Sequence, residues 1–558
     1  MLALGSHKNQ PHFFLERKFR TLQTQKISAV LTHAKHMVIF MKKRQIINIV
    51  NFIRDIEPRL DMDLVTPVKE QIALMQKYGL RGTFLLQYDA LCDPIYTEML
   101  KALDPTQFEF GVWHEIVQPE TQACGIPWTG RYPWDWHAHC GFSVGYTKEQ
   151  REKLCDALFE KFRSVFGYYP RVFGSWFFDS HTVRYLCDTY GLDAICNCKE
   201  QYGTDGYTLW GGYYGQGYYP SRTNVFMPAQ TEAEQLPVPL FRMLGSDHVY
   251  QYDFGTSLEE GAQTQGVITL EPVYTHAAGG GGVPMWVDWY LRENYNGDCL
   301  SFGYAQAGQE NSFGWNAMKD GLSYQFAQFA KLQASGTVTV EPLGETGRWF
   351  KETYQKTPAS AITAHTAFDD ESKTSVWYSN AYFRINVYAK DAQMHIRDLH
   401  VFRETYPDPF EDVVCTSNEA VYETLPIIDG NRNTGNGILA GMFFLDAETK
   451  QEIPCQKMQF EDLGDGKLRL TYVPMVLTFS ENTVRITSEK PFILSVRTGS
   501  EDHIPTVTAK TDTTCELMYH STSYGMRLIC GRFQNAESKV GIPDICSDDN
   551  GTLEFQIL

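Results

Sequence analysis

Several features are missing from this 558-residue sequence, and each absence excludes a class of protein. No run of about 18 apolar residues occurs, so no transmembrane helix and no membrane partner are expected. There is no basic surplus. Lys and Arg number 49 against 67 Asp and Glu, for a net charge of -18, which argues against nucleic acid as the partner. The 13 cysteines form no C-x-x-C pair, and their odd, scattered distribution fits neither a zinc ribbon nor a disulfide scaffold. They read as small buried hydrophobes in a reducing compartment, and a cytoplasmic location is the expectation. No H-E-x-x-H zinc signature is present, because His114-Glu115 is followed at i+4 by Gln118. The glycine run Gly279–Gly282 lacks the Lys-Ser/Thr of a phosphate loop. The first 44 residues carry nine Lys/Arg and one acid, Glu16, without the long apolar core and small-residue site of a secretory signal. They are read as an extension upstream of a natural start near Met41.

What the sequence does have is aromatic surface. Phe, Trp and Tyr make up 14% of the chain, many beside Gly, Pro, Asn or Asp rather than inside apolar periodic runs. Such rings suit stacking on sugars, with Tyr and Trp adding a polar tip. The loop from Gly203 to Arg222 is too aromatic for solvated linker and too rich in glycine for core.

From Gln45 to about 350, strand-like and helix-like stretches alternate. Strands are expected at Ile46–Phe52, Gly82–Gln87, Phe108–Trp113, Val172–Trp176, Ala194–Cys198, Leu240–Leu244 and Val267–Leu270. A helix is expected over Val65–Tyr78, and another behind a capping box formed by Thr147 and Gln150. This alternation predicts an α/β domain over residues 45–350, a distorted (β/α)7-type barrel. Long inserts (Gln118–Tyr146, Gln201–Pro237, Thr275–Gln309) fall on the carboxyl side of the strands. After residue 350 the pattern becomes short alternating strands separated by turns. An all-β, sandwich-like domain is expected over 351–558.

The strand ends hold the candidate chemistry. They deliver Asp55, then Trp113-His114-Glu115, then Trp176, Lys199 and Glu200, Arg242 and Asp247, and Glu271, with Glu310 further on. In a barrel these converge on one mouth, where crowded carboxylates split their pKa values and serve as an acid and its partner. Asp55, His114, Glu115 and Asp247 are the expected catalytic residues. Arg59, Trp113, Trp176, Trp210, Arg242 and Glu271 are the expected substrate contacts. Some strand-end acids are ordinary helix caps, and Asp179 before Ser180 is the strongest case. The residue types for a metal also exist, in Asp55, His114 and the 137–139 histidine pair.

At this point the pattern resembles the glycoside hydrolase/deacetylase superfamily of distorted barrels, with its polysaccharide deacetylases and glycoside hydrolases of families 38 and 57. Strand one ending in Asp55 is similar to the deacetylase strand with catalytic and metal-binding aspartates. Phe108–His114 is similar to the strand that reaches the metal-binding histidine. Tyr169–Trp176 is similar to the strand before the arginine-proline groove motif. The resemblance implies a carbohydrate substrate. It also implies, for the deacetylase branch, a divalent metal such as zinc on Asp55, His114 and His139. Gln118 stands where the second histidine would be, and Gly174-Ser175-Trp176 where arginine and proline would be. Glycosidase chemistry is therefore the first expectation, metal-dependent deacetylation the second, and sugar binding without catalysis the third.

Overall fold

The computed structural model describes residues 43–296, 298–534 and 541–558, and the expected extension lies outside these except for its last two residues. Gln45–Leu558 pack as one unit. Its first part is built on a nine-stranded sheet of β1 (Gln45–Ile53), β2 (Gly82–Leu86), β3 (Phe108–Trp113), β4 (Val172–Gly174), β5 (Ala194–Asn197), β6 (Gly217–Tyr218), β7 (Leu240–Arg242), β8 (Gly303–Ala307) and β9 (Thr339–Glu341). The strand order is β8-β1-β2-β3-β4-β5-β7-β6, with β9 also on β1. Every pairing is parallel except β6–β7. The sheet curls into a half-barrel. Its two edges approach without strand pairing: Gln216 Nε2 donates to the Phe302 carbonyl at 2.7 Å, and the Phe241 and Tyr304 rings stand 5.2 Å apart.

The expected helices lie where the 3.6-residue period puts them. Val65–Tyr78 ends at Gly79 in the left-handed region, and Lys148–Phe166 starts from the Thr147/Gln150 capping box. Val68 and Ile72 of the first and Leu158 and Phe162 of the second pack on the outward face of the sheet, against Ile49, Phe110 and Val112.

One expected strand is not there. Val267–Leu270 forms no strand; Thr269 makes only an isolated bridge to Ser246. The β8 position is taken by Gly303–Ala307, inside the expected insert Thr275–Gln309, where a helix, Pro284–Asn296, also lies. Gly-Tyr-Ala-Gln-Ala has no β-branched residue, so local propensity hides a strand that burial on both faces sustains.

Beyond the last helix, Leu343–Thr353, the chain is β-rich, as expected. A nine-stranded antiparallel sheet begins with Ser360–Ala364, Lys373–Ser379, Phe383–Lys390 and Gln393–Val401. An eight-stranded antiparallel sheet runs from Gln459–Gly464 to Thr552–Ile557. They meet through rings such as Tyr378 on Phe479, at 5.2 Å. The barrel insert joins this region directly, because Tyr207–Trp210 pairs in parallel with Ala420–Glu423.

Candidate functional site

Strand alternation decides which side chains reach the mouth of the half-barrel. Successive residues of a strand point to opposite faces. On β1, Ile46, Val50 and Phe52 face inward, while Ile47, Ile49 and Ile53 pack outward on the helices. Continued one step past the strand, the pattern sends Arg54 inward and Asp55 outward. On β3, Phe108, Phe110 and Val112 face outward and Trp113 inward, stacked on Phe52 with ring centroids 4.1 Å apart. Glu115 follows Trp113 inward and His114 follows Val112 outward. Gly111, also inward, keeps this register because a Cβ there would stand 2.6 Å from the Val172 carbonyl oxygen.

The inward residues line a cleft of about 530 Å3 at the carboxyl ends of the strands. Its floor is a buried charge cluster. Arg54 Nη2 donates to Glu115 Oε2 at 2.9 Å and to Glu310 Oε2 at 2.8 Å. Because one nitrogen serves both, the two carboxylate oxygens are held no further apart than those two bonds laid end to end. Trp113 Nε1 donates to Glu115 Oε2 at 2.9 Å, and Ser312 Oγ donates to Glu310 Oε1 at 2.7 Å. The guanidinium of Arg54 lies 4.1 Å from the Trp134 ring centre. Glu310 reaches the cleft through a turn at Gly308, whose φ of +115° and 2.1 Å approach of a would-be Cβ to the Val50 carbonyl oxygen admit only glycine.

The same cleft is lined by Glu271, Asp205 and Lys199. Burial pushes Glu271 up to about 7, an effect opposed by a hydrogen bond from Thr269 and by Lys199 and reinforced by Glu310. Asp205 is raised by burial and Lys199 is lowered by it. Glu115 is also raised by burial, with Arg54 as the largest opposing influence. The cleft thus combines an Arg-bridged carboxylate pair with a carboxyl half-protonated near neutrality, between Trp136, Trp176, Tyr207, Tyr274 and Phe313.

Of the residues that the sequence puts forward, Glu115, Arg59, Trp176, Lys199, Glu271 and Glu310 line this cleft, and Trp113 lies directly behind it. The others lie elsewhere. Asp55 is held on the outward side, near Tyr96 and Asp93. His114 is buried, 5.7 Å from Phe173 ring to ring and 3.4 Å from Glu120 Oε1 through Nε2. Asp247 accepts the backbone N–H groups of Val249 and Tyr250 and the Trp286 indole, the pattern of a loop clasp. Trp210 is fully buried and donates to Asp429 at 2.6 Å. Arg242 donates to the carbonyls of Cys198 and Tyr213. His139 sits in the short helix Ala138–Gly141, its ring 5.9 Å from that of His137. Asp55, His114 and His139 are not gathered into a metal-ligand set. Among the described residues, the one group of three able to share a metal is His400, Asp429 and His503, in the β-rich region.

Arg54, Asp205, Trp134, Trp136 and Tyr274 complete the cleft beyond the residues chosen from the sequence. Arg54 was legible in principle, by counting two residues on from an inward Phe52.

No protein-family model matches the sequence, and no curated protein sequence matches it. Solved structures do. A candidate glycoside hydrolase/deacetylase from Parabacteroides distasonis superposes with a TM-score of 0.52 at 13% identity, over 70% of this chain and 92% of its own. The chain has a glycoside hydrolase/deacetylase-like fold. With this fold, the cleft occupies the carboxyl ends of the strands, where α/β half-barrels and barrels build their sites. A candidate polysaccharide deacetylase from Mycobacterium smegmatis matches over 56% of this chain and 92% of its own, at 12% identity and a TM-score of 0.33. A family 57 glycoside hydrolase branching enzyme from Thermococcus kodakaraensis matches over 56% and 72%, at 10% identity and 0.28.

Proposed function

We propose that this protein hydrolyses a glycosidic bond in the cleft, with Glu271 as general acid and Glu310 as its carboxylate partner. The observation that carries the reading is the Arg-bridged pair Glu115–Glu310 in the same cleft as a carboxyl raised to about 7. Cleavage of an acetal needs a proton delivered to the leaving oxygen and negative charge beside the oxocarbenium-like transition state. Glu271 keeps its proton near neutrality and supplies the first. Glu310, held at both oxygens by Ser312 and Arg54, supplies the second. Its side chain is the more accessible of the pair, 9% exposed against 2% for Glu115. Glu115 positions Arg54 and adds to the negative potential at the floor. The aromatic walls offer faces for sugar rings. A carbohydrate substrate is also consistent with the superfamily resemblance.

The test is a pH–rate profile on aryl glycosides. The acid must be protonated, so kcat/KM is expected to hold below about pH 7 and to fall as pH rises through it. In Glu271→Gln, that fall should vanish. The rate should drop by ~10²–10⁴-fold for poor leaving groups and far less for dinitrophenyl glycosides, which leave without a proton. An equal loss for both leaving groups removes Glu271 from the acid role. The first-formed anomer reports whether Glu310 attacks directly or through water.

A further inference from the structure

The β-rich region contains a second constellation, distant in kind from the cleft. His400 lies on the strand Gln393–Val401, Asp429 ends the strand Leu425–Asp429, and His503 lies in the loop after Phe492–Arg497. All three side chains are fully buried. His400 Nε2 is 3.3 Å and His503 Nε2 is 3.5 Å from Asp429 Oδ2, and Asp398 Oδ2 is 3.4 Å from His400 Nε2.

The surrounding hydrogen bonds set the ring protons. The Thr424 hydroxyl donates to the Gly211 carbonyl at 2.7 Å, so its oxygen is left to accept from His400 Nδ1, 2.9 Å away. The Tyr519 hydroxyl donates to Glu423 Oε2 at 2.9 Å, so its oxygen is left to accept from His503 Nδ1. Each neutral ring then carries its proton on Nδ1 and a lone pair on Nε2. Neither Nε2 has a hydrogen-bond partner. Two imidazole lone pairs therefore face Asp429 Oδ2, and neither ring supplies a donor to it; the oxygen's one side-chain donor is the Trp210 indole, at 2.6 Å.

Such a convergence of acceptors in a dry interior is stabilised by a cation. The spacing fits one. Ligands at ~2.0–2.1 Å from a tetrahedral zinc stand about 3.3–3.4 Å from each other, close to the 3.3 and 3.5 Å between the two Nε2 atoms and Asp429 Oδ2. The outer contacts also match: each ring holds its second nitrogen against a fixed oxygen, as metal-ligating histidines do. Gly211 permits the arrangement, since a Cβ there would lie 2.5 Å from His400 Nδ1. His503 is held at a φ of +61°, a left-handed backbone that few non-glycine residues adopt.

We propose that His400, His503 and Asp429 bind a divalent metal of the zinc type through His400 Nε2, His503 Nε2 and a carboxylate oxygen of Asp429. Asp398 stays outside the set, because Arg384 holds its two oxygens at 2.9 and 2.7 Å. The site has no solvent-facing ligand, so its role is structural. It clamps the barrel insert to the β-rich region, because Trp210 and Tyr252 of the barrel half both donate to Asp429.

The test uses the full-length protein. Purified protein, dialysed against metal-free buffer, should retain about one zinc per chain by elemental analysis. After unfolding, chelation and refolding with cobalt, it should show the visible bands of a tetrahedral N/O site. His400→Ala/His503→Ala should lose the metal, while Glu310→Gln should keep it. Because the double variant can fail to fold, the unmutated protein decides alone. If it takes up neither zinc nor cobalt stoichiometrically, the acceptors are separated by protons and the proposal fails. Metal retained in a folded double variant overturns it equally. Neither result bears on hydrolysis in the cleft.

Discussion

Exchanging Glu310 for Gln is expected to lower turnover by on the order of 10⁴-fold or more, with the fold intact. In the proposed mechanism Glu310 acts directly on the reacting carbon, and removing such a group costs this much in other hydrolases. Gln keeps the volume; its carbonyl can still accept from Arg54, and its amide can donate to the Ser312 hydroxyl oxygen, so stability should change little. What disappears is the negative charge facing the anomeric carbon. Turnover of aryl glycosides and thermal unfolding, measured on the same preparation, check both halves. A variant that unfolds at the same temperature and retains a tenth of the activity would remove Glu310 from the chemistry.

Replacing Arg54 by Met should cost both stability and activity. Arg54 is 2% exposed and holds two buried carboxylates through one nitrogen, with Glu57 3.9 Å from its other terminal nitrogen. Removing one partner of a buried ionic cluster leaves uncompensated charge, at a cost of ~3–5 kcal/mol. Part of this is recovered when Glu115, which burial raises and Arg54 opposes, takes up a proton. Activity falls because Glu310 loses the donor that fixes its Oε2. Urea unfolding should therefore show a large loss at neutral pH and a smaller one at acid pH, where the carboxyls are neutral in both proteins. The same loss at both pH values would show that packing against Trp134, rather than charge, is what Arg54 contributes.

Much of the fold was legible because the signals were local. The helix Val65–Tyr78, the strand Phe108–Trp113 and the Thr147 capping box stand where periodicity and capping chemistry predict. Strand β8 was not legible, since Gly303–Ala307 owes its state to neighbours on β1 rather than to its own residues. The site divided in the same way. That strand ends reach a common mouth could be read from order alone, and Glu115 and Trp176 follow β3 and β4 to it. Glu271 lines the same cleft but follows a segment that is not a strand. Which of two adjacent residues points inward depends on strand phase. Phase requires knowing which face the helices cover. His114 and Glu115 are neighbours in sequence and lie on opposite faces of the sheet. Asp55 and Arg54 divide in the same manner. Trp134 and Trp136 come from a loop with no periodicity, so nothing in the sequence assigns them to the cleft.

The buried histidines of the β-rich region illustrate the complementary limit. His400, Asp429 and His503 are separated by 29 and 74 positions in the sequence, a spacing that matches no metal motif. Only the sheet pairing, with Leu399 opposite Ile428, brings the first two together.

The most direct measurement of the account as a whole is a side-by-side determination of kcat/KM for Glu115→Gln and His114→Gln on one glycoside substrate, each corrected for folded fraction. The two positions are adjacent in the chain and opposite in the structure. A loss of about 100-fold or more is expected for Glu115→Gln, which disturbs the Arg54 cluster, and less than about 10-fold for His114→Gln, which faces Glu120 outside the cleft. A collapse in His114→Gln with activity preserved in Glu115→Gln would contradict the inward placement of the carboxylate pair and, with it, the cleft as the site of catalysis.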